Sequence, residues 1–230
     1  LTSTPEIVTI DGPSGAGKST ISRLLAKALG YAFMDTGAMY RAVGLAVQRG
    51  GLPLEESAAL AALLPGLEIA LVATAGETGV LLNGEDISAA IRTPEMAMVA
   101  SRVSALPMVR SRLTELQRRI GAGGSVVTEG RDMGTVVFPQ AAHKFFLDAT
   151  PEERARRRVA QLREQGREVD AAEILAQIIE RDRADRGRAL APLKPADDAV
   201  IVDSSHLDIP GVVALMHETI QRRRGARGAV

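Results

Sequence analysis

Residues Gly12 to Ser19 read GPSGAGKS, with three glycines and a Lys-Ser pair, of which Gly12, Gly17, Lys18 and Ser19 stand at the spacing that wraps a phosphate. Loop glycines let successive backbone N–H groups turn toward one anion, and a helix starting directly after them adds partial positive charge. Lys18 can then reach the outer phosphates of a nucleoside triphosphate, and the Ser19 hydroxyl can ligate Mg²⁺. The expected triphosphate contacts are therefore Gly12, Pro13, Ser14, Gly15, Ala16, Gly17, Lys18, Ser19 and Thr20. Such a loop works only between a strand and a helix. Glu6 to Asp11 (EIVTID) is β-branched and apolar enough for a buried parallel strand, and Thr20 to Leu29 (TISRLLAKAL) carries apolar residues at helical spacing. The segment thus predicts a nucleoside triphosphate site.

Further along, strand and helix signals alternate, as in a doubly wound parallel sheet. Strands are expected at Tyr31–Met34, Ser125–Thr128, His143–Leu147 and Ala199–Val202. Helices are expected at Ala38–Gln48, Pro107–Ile120, Pro151–Gln165, Ala171–Arg186 and Ile209–Arg223, with Pro107 and Pro151 in first turns. Leu63 to about Ala100 breaks this rhythm: LEIALVA alternates from Leu67, a TAGETG turn follows at Thr74–Gly79, and Val80–Leu82 leads to an Asn83-Gly84 turn. That pattern predicts a small antiparallel hairpin or meander inserted into the main domain, with an edge extension of the main sheet as the alternative. The basic tail from Arg222 to Val230 reads as a frayed end rather than a nucleic-acid arm.

Composition narrows the classes. A chain of 230 residues fits one α/β domain with an insertion, and 46% hydrophobic residues suffice for a core. Twenty-eight cations balance 28 anions, which argues against a duplex nucleic-acid or acidic-membrane binder. Of those cations 24 are Arg, an excess that suits phosphate binding and equally a GC-rich coding bias. Cysteine is absent, so thiol and zinc-thiolate chemistry are excluded. No apolar run approaches a membrane span, and the first strand follows the start of the sequence closely, so a cytoplasmic protein is expected.

The loop alone does not choose among switches, motors and kinases. A guanine-reading Asn-Lys-x-Asp segment is missing, since the single Asn, Asn83, precedes Gly. The strand SVVTE ends in Glu129 followed by Gly130-Arg131-Asp132, unlike the paired acids of motors. A kinase for a phosphorylated acceptor needs a second anion site, and the cations for one are present. Arg41 follows Asp35-Thr36-Gly37, Arg131 and Asp132 follow a strand end, and Arg181, Asp185 and Arg188 are spaced to share one helix face. Arg154, Arg157 and Arg158 share another face. A phosphate monoester acceptor is already ionised at neutral pH, so cations and placement suffice without a protein base.

Taken together, GPSGAGKS, DTGAMYR (Asp35–Arg41), IRTPE (Ile91–Glu95), EGRDMGTVVFP (Glu129–Pro139), FFLDA (Phe145–Ala149) and RDRADRGRALAPL (Arg181–Leu193) resemble bacterial cytidylate kinases, in order and through nearly the whole chain. The resemblance implies an α/β fold of the P-loop nucleoside monophosphate kinase type. Its core would comprise residues 1–62 and 101–230, with a small antiparallel monophosphate-binding insertion at about 63–100 and a short helical lid at about 151–166. It also implies phosphorylation of CMP and dCMP by ATP with Mg²⁺, in pyrimidine nucleotide metabolism, by a monomer.

Carried over by position, Ser101, Arg110 and Asp132 resemble the cytosine readers, and Arg181 and Asp185 the sugar contacts. Thr36, Arg41, Arg131 and Arg188 resemble the acceptor-phosphate ligands, with Thr36 where the family also uses Ser. Arg154, Arg157 and Arg158 fall in the lid over the triphosphate, and Lys18, Arg131, Arg158 and Arg188 are the cations expected at the transferring group. Glu129 stands where many relatives have Asp and receives no metal role. Cytosine offers an amino donor beside ring acceptors, which suits a carboxylate and an Arg. Structural readings stay open: Asp35 or Thr36 as a helix cap, Arg181 with Asp185 as a solvated ion pair, and the lid arginines as a wet helix face. Two functional alternatives also stand, a kinase for UMP or another small phosphate and a non-catalytic ATP-binding module.

Overall fold

The computed structural model describes residues 5–73 and 78–228. Its strands are β1 (Ile7–Asp11), β2 (Ala32–Asp35), β3 (Ile69–Ala73), β4 (Thr78–Leu82), β5 (Glu85–Asp86), β6 (Val126–Gly130), β7 (His143–Asp148) and β8 (Val200–Asp203). Its α-helices are α1 (Lys18–Leu29), α2 (Thr36–Arg49), α3 (Ala58–Leu63), α4 (Pro94–Val103), α5 (Pro107–Ala122), α6 (Pro151–Glu164), α7 (Ala171–Arg186) and α8 (Ile209–Gly228). The larger sheet runs β2-β6-β1-β7-β8, and a separate sheet runs β3-β4-β5. The chain divides into two compact units, Met34–Gly123 forming one and the flanking stretches, up to Phe33 and from Gly124, forming the other.

In the flanking unit, β1 lies between β6 and β7 and is parallel to both. A strand covered on both faces is expected to be largely apolar, and Val8 and Ile10 are fully buried, with the polar Thr9 and Asp11 buried beside them. They pack with Ile21 and Leu25 of α1, Val127, Phe145, Leu147, Val202, and Val212, Met216 and Ile220 of α8. Each such side chain contributes about 1.5–3 kcal/mol by leaving water. The register pairs Asp11 with Gly130 and with Phe146, and Asp148 with Asp203, so four strands end side by side. The segments that follow those carboxyl ends hold the motifs singled out in the sequence, the expected place for a site in a parallel α/β sheet.

The other unit carries α2 to α5 and the small sheet. Asp35 starts α2, its Oδ1 accepting from the Ala38 N–H at 2.8 Å. Thr93 starts α4 in the same manner, with Pro94 in the first turn. Within the small sheet β3 pairs antiparallel with β4, and β4 with β5. Asn83 and Gly84 turn between β4 and β5 with φ of 51° and 83°, so the meander is a sheet of its own and not an extension of the larger one. Part of the expected TAGETG turn, residues 74–77, lies outside the described residues. This unit is wider than the expected insertion because α2, α3 and α5 also belong to it.

Three readings need correction. α4 was not expected, although Thr93-Pro94-Glu95 signals its start and its buried residues, Met96, Ala100 and Val103, fall at helical spacing. The tail is not frayed over its described part. α8 runs to Gly228, and the Arg224 guanidinium donates to Glu6 Oε2 through Nε at 3.1 Å and also contacts the Tyr31 hydroxyl; residues 229 and 230 lie outside the described residues. α7 ends at Arg186, so Arg188 sits beyond the helix rather than on its face. Among the described residues no helix is long and apolar enough to cross a membrane.

Candidate functional site

The phosphate loop leaves β1 at Gly12, whose φ is 152°. A Cβ there would lie 2.0 Å from the Leu147 carbonyl oxygen on the neighbouring strand, so only glycine permits the approach. Lys18 opens α1, and its Nζ folds back to donate to the Pro13 carbonyl at 2.6 Å. Burial, reinforced by the charge of Arg131 and opposed by Glu129, lowers the Lys18 pKa to about 7. A bound polyanion would restore its charge.

The loop is braced from behind. Arg154 on α6 is 1% exposed and donates through Nε to Ala149 O at 2.9 Å and through Nη1 to Ser14 O at 3.1 Å. Its two terminal nitrogens also grip Asp182 of α7 at 3.1 and 2.6 Å. Arg154 is therefore not on the wet helix face that the spacing also allowed; the buried carboxylate of Asp182 draws it inward. Arg157 instead binds Ser204 through its hydroxyl at 3.1 Å and its carbonyl at 2.5 Å, and the Ser204 hydroxyl donates in turn to Asp148 O at 3.1 Å. Arg158 donates to Gln161 at 2.7 Å and is half-buried, which lowers its pKa. The three arginines are thus parted among different partners.

Asp185, fully buried, gathers two arginines of this unit. Its Oδ2 accepts from Arg131 Nε at 2.9 Å, and its Oδ1 from Arg188. Burial would raise its pKa, but the charges of Arg131 and Arg188 outweigh that and hold it below the ordinary range. The Arg181–Asp185 pair is therefore not the solvated helix pair that spacing alone allowed. Arg181 Nη1 donates to the Ser14 hydroxyl at 3.2 Å, on the loop itself. Arg131, Glu129, Arg181 and Asp185 all influence the ionisation of Lys18, so these charges and Lys18 form one electrostatic group. Asp132 is buried directly after Arg131, where β6 gives way to a π-helical turn, Met133–Val137.

Within the other unit, Thr36 is buried in the first turn of α2, and Arg41 Nη2 pairs with Asp35 at 3.2 Å. Asp35, not Thr36, supplies the cap. Ser101 and Arg110 are linked through Ser104: its hydroxyl donates to Ser101 O at 2.8 Å, and its carbonyl accepts from Arg110 Nη1 at 3.1 Å. The Arg110 guanidinium also lies 6.0 Å from the Tyr40 ring centroid. Ser104 thereby bridges the Ser101 carbonyl on α4 and the Arg110 guanidinium on α5.

Ser19 is exposed in the first turn of α1, beside the loop amides. No group of three or more Asp, Glu or His able to hold a metal occurs among the described residues. That donor set fits Mg²⁺ carried by phosphate oxygens and water with one protein hydroxyl, rather than a metal caged by protein.

The sequence profile of the cytidylate kinase family matches residues 8–222. The chain belongs to the cytidylate kinase family. It is 52% identical to the cytidylate kinase of Citrifermentans bemidjiense over 94% of this chain and 93% of that one. It is 49% identical to the cytidylate kinase of Vibrio cholerae, over 93% of this chain and 95% of the relative. A crystal structure of an uncharacterized protein from Eubacterium ventriosum shares the fold, with a TM-score of 0.51 and 10% identity over 94% of this chain and 98% of that one.

Membership of the cytidylate kinase family accounts for the motifs, but four side chains that shape the site were not read from them. Asp11, Asp182 and Ser204 act on the loops from other elements, and Tyr40 faces Arg110. Tyr40 and Asp182 sit inside recognised motifs, DTGAMYR and RDRADRGRALAPL, without standing out there; Ser204 had no local signal, and Asp11 only that it immediately precedes the glycine loop.

Proposed function

We propose that this chain transfers the γ-phosphoryl group of ATP to CMP and dCMP, giving CDP and dCDP. The observation that carries the reading is the cation group beside the phosphate loop: Arg131 and Arg188 share buried Asp185 while Lys18 and Arg181 reach the loop. A site for one triphosphate needs the loop and its lysine; guanidinium groups ordered on a further carboxylate suit a second phosphate brought up to the first.

In this reading the amides of Gly12 to Thr20 hold the triphosphate, with Arg154 and Arg157 keeping the loop in shape. Lys18, Arg131, Arg158 and Arg188 offset the charge that spreads over the transferring group. Thr36, Arg41, Arg131 and Arg188 bind the acceptor phosphate, whose oxygen is already ionised, so attack needs alignment and no base. Arg181 and Asp185 contact the sugar. Ser101, Arg110 and Asp132 read cytosine, Asp132 accepting from the exocyclic amine; uracil would turn a carbonyl toward that carboxylate. Ser19 would hold Mg²⁺, which when bound neutralises phosphate charge. The assignments of Thr36, Arg41, Ser101 and Arg110 rest on motif and family.

A coupled assay with ATP and CMP, dCMP, UMP or AMP tests this. Turnover is expected with CMP and dCMP, weakly with UMP and hardly with AMP. Equal rates for all four would remove the base-reading assignment, and no turnover with any would leave a binding module.

A further inference from the structure

We propose that Asp11 is a positioning residue for base selection: its carboxylate fixes the turn that presents Arg131 and Asp132, and ties that turn to the phosphate loop. The inference rests on the base-reading role proposed for Asp132. Asp11 ends β1, is 3% exposed, and accepts from the Met133 and Gly134 N–H groups at 2.8 Å each. Those are the first amides of the π-helical turn, where a helix has no acceptors of its own to offer. Wide i+5 hydrogen bonds hold the rest of the turn, Val137 N to Asp132 O at 3.2 Å and Phe138 N to Met133 O at 2.7 Å. The capping carboxylate therefore comes from a strand more than 120 residues earlier in the chain.

Both ends of Asp11 matter. Its backbone leads straight into Gly12 and the donor loop, and its register partner Gly130 leads straight into Arg131 and Asp132. A displaced Asp11 carboxylate would move the acceptor side without moving the loop glycines. Gly134 lets the turn sit this close: a Cβ there would meet Thr9 Oγ1 at 2.9 Å and Asp11 Oδ2 at 3.4 Å. Burying a carboxylate is costly, and burial here pushes the Asp11 pKa up to about 6 although the Gly134 and Met133 amides, and Lys18, oppose the shift while Asp132 adds to it. A fold that needed only a covered strand end would place an apolar side chain there.

Asp11→Asn tests the assignment, because it keeps the volume while turning one acceptor into an N–H₂ that faces an N–H. Wild type, Asp11→Asn and Asp132→Ala are compared for KM and kcat with CMP, UMP and ATP. Asp11→Asn is expected to raise KM for CMP about tenfold or more and to lower the CMP-over-UMP ratio of kcat/KM similarly, with KM for ATP changed less than about threefold. An equal loss toward CMP, UMP and ATP would overturn the inference in favour of a purely structural role. If Asp132→Ala collapses the CMP-over-UMP ratio while Asp11→Asn leaves it intact, the clamp fails and the reading of Asp132 stands. If Asp132→Ala leaves the ratio unchanged, the reading of Asp132 fails and takes the inference with it. Should Asp11→Asn not fold, amide exchange in the wild type decides: the Met133 and Gly134 amides are expected to be as protected as those of β1, and loop-like exchange overturns the clamp.

Discussion

Replacing Arg154 by Met separates two accounts of that residue. Methionine keeps most of the aliphatic stem but removes the bonds to Ala149 O, Ser14 O and both oxygens of Asp182. The side chains of the pair are only 2% and 13% exposed, so the Asp182 carboxylate is left stranded with little water to replace its partner. Breaking a buried pair from one side costs about 3–5 kcal/mol, a large share of the roughly 5–15 kcal/mol that holds a domain folded. For a chain of this size each kcal/mol lowers Tm by about 2–4 °C, so a fall of about 6–20 °C is expected. Urea unfolding of Arg154→Met, Asp182→Leu and the double variant measures the effect. The double variant should recover part of the loss, because it removes the stranded charge. An Arg154→Met protein with an unchanged unfolding midpoint and a raised KM for ATP would refute the brace and leave Arg154 a direct contact of the triphosphate.

Lys18→Ala should lower kcat by about a hundred- to thousandfold while the unfolding midpoint stays near wild type; a kcat within about threefold of wild type would remove Lys18 from the transition state. Because burial and Arg131 hold the Lys18 pKa near 7 in the free protein, ATP binding at pH 8 should take up about half to one proton, read by calorimetry in two buffers of different ionisation heat. Equal heats in both buffers would contradict it. Glu6 has a pKa lowered from 4.5 to about 2, since the bonds from Arg224, Tyr31 and His143 outweigh its burial. A depressed carboxylate stabilises fully above its ordinary pKa and loses that contribution as pH falls through the folded value. The wild-type Tm should therefore drop more steeply between pH 4.5 and 2 than that of Glu6→Gln, whereas parallel curves would show that Glu6 carries no linkage.

What the sequence revealed and what it hid have physical causes. The phosphate loop was legible because its glycines answer a backbone requirement, as the contact between Gly12 and Leu147 O shows. Periodicity marked Ala171–Arg186 to the residue, since Asp170 caps its start and Gly187 closes its end. Arg131 could be seen to follow a strand end, but its tether to Asp185 could not, because 54 residues separate them. Arg154 and Arg158 look alike in a string of arginines. Only the buried Asp182 distinguishes the brace from its neighbour, and nothing around position 182 advertises a buried carboxylate. Asp11 was hidden for the same reason, its partners being amides rather than side chains.

The central strand of the larger sheet is also the first to be made. Ile7 finds Val126 across 119 residues, and β7 arrives later still. At about 5–20 residues per second, synthesis leaves β1 without a sheet partner for between about 6 and 24 s. During that interval α1 is the only part of its final packing partners on hand for β1, and no strand lies beside it. A nascent chain of this design keeps both edges of its central strand open until β6 has been made.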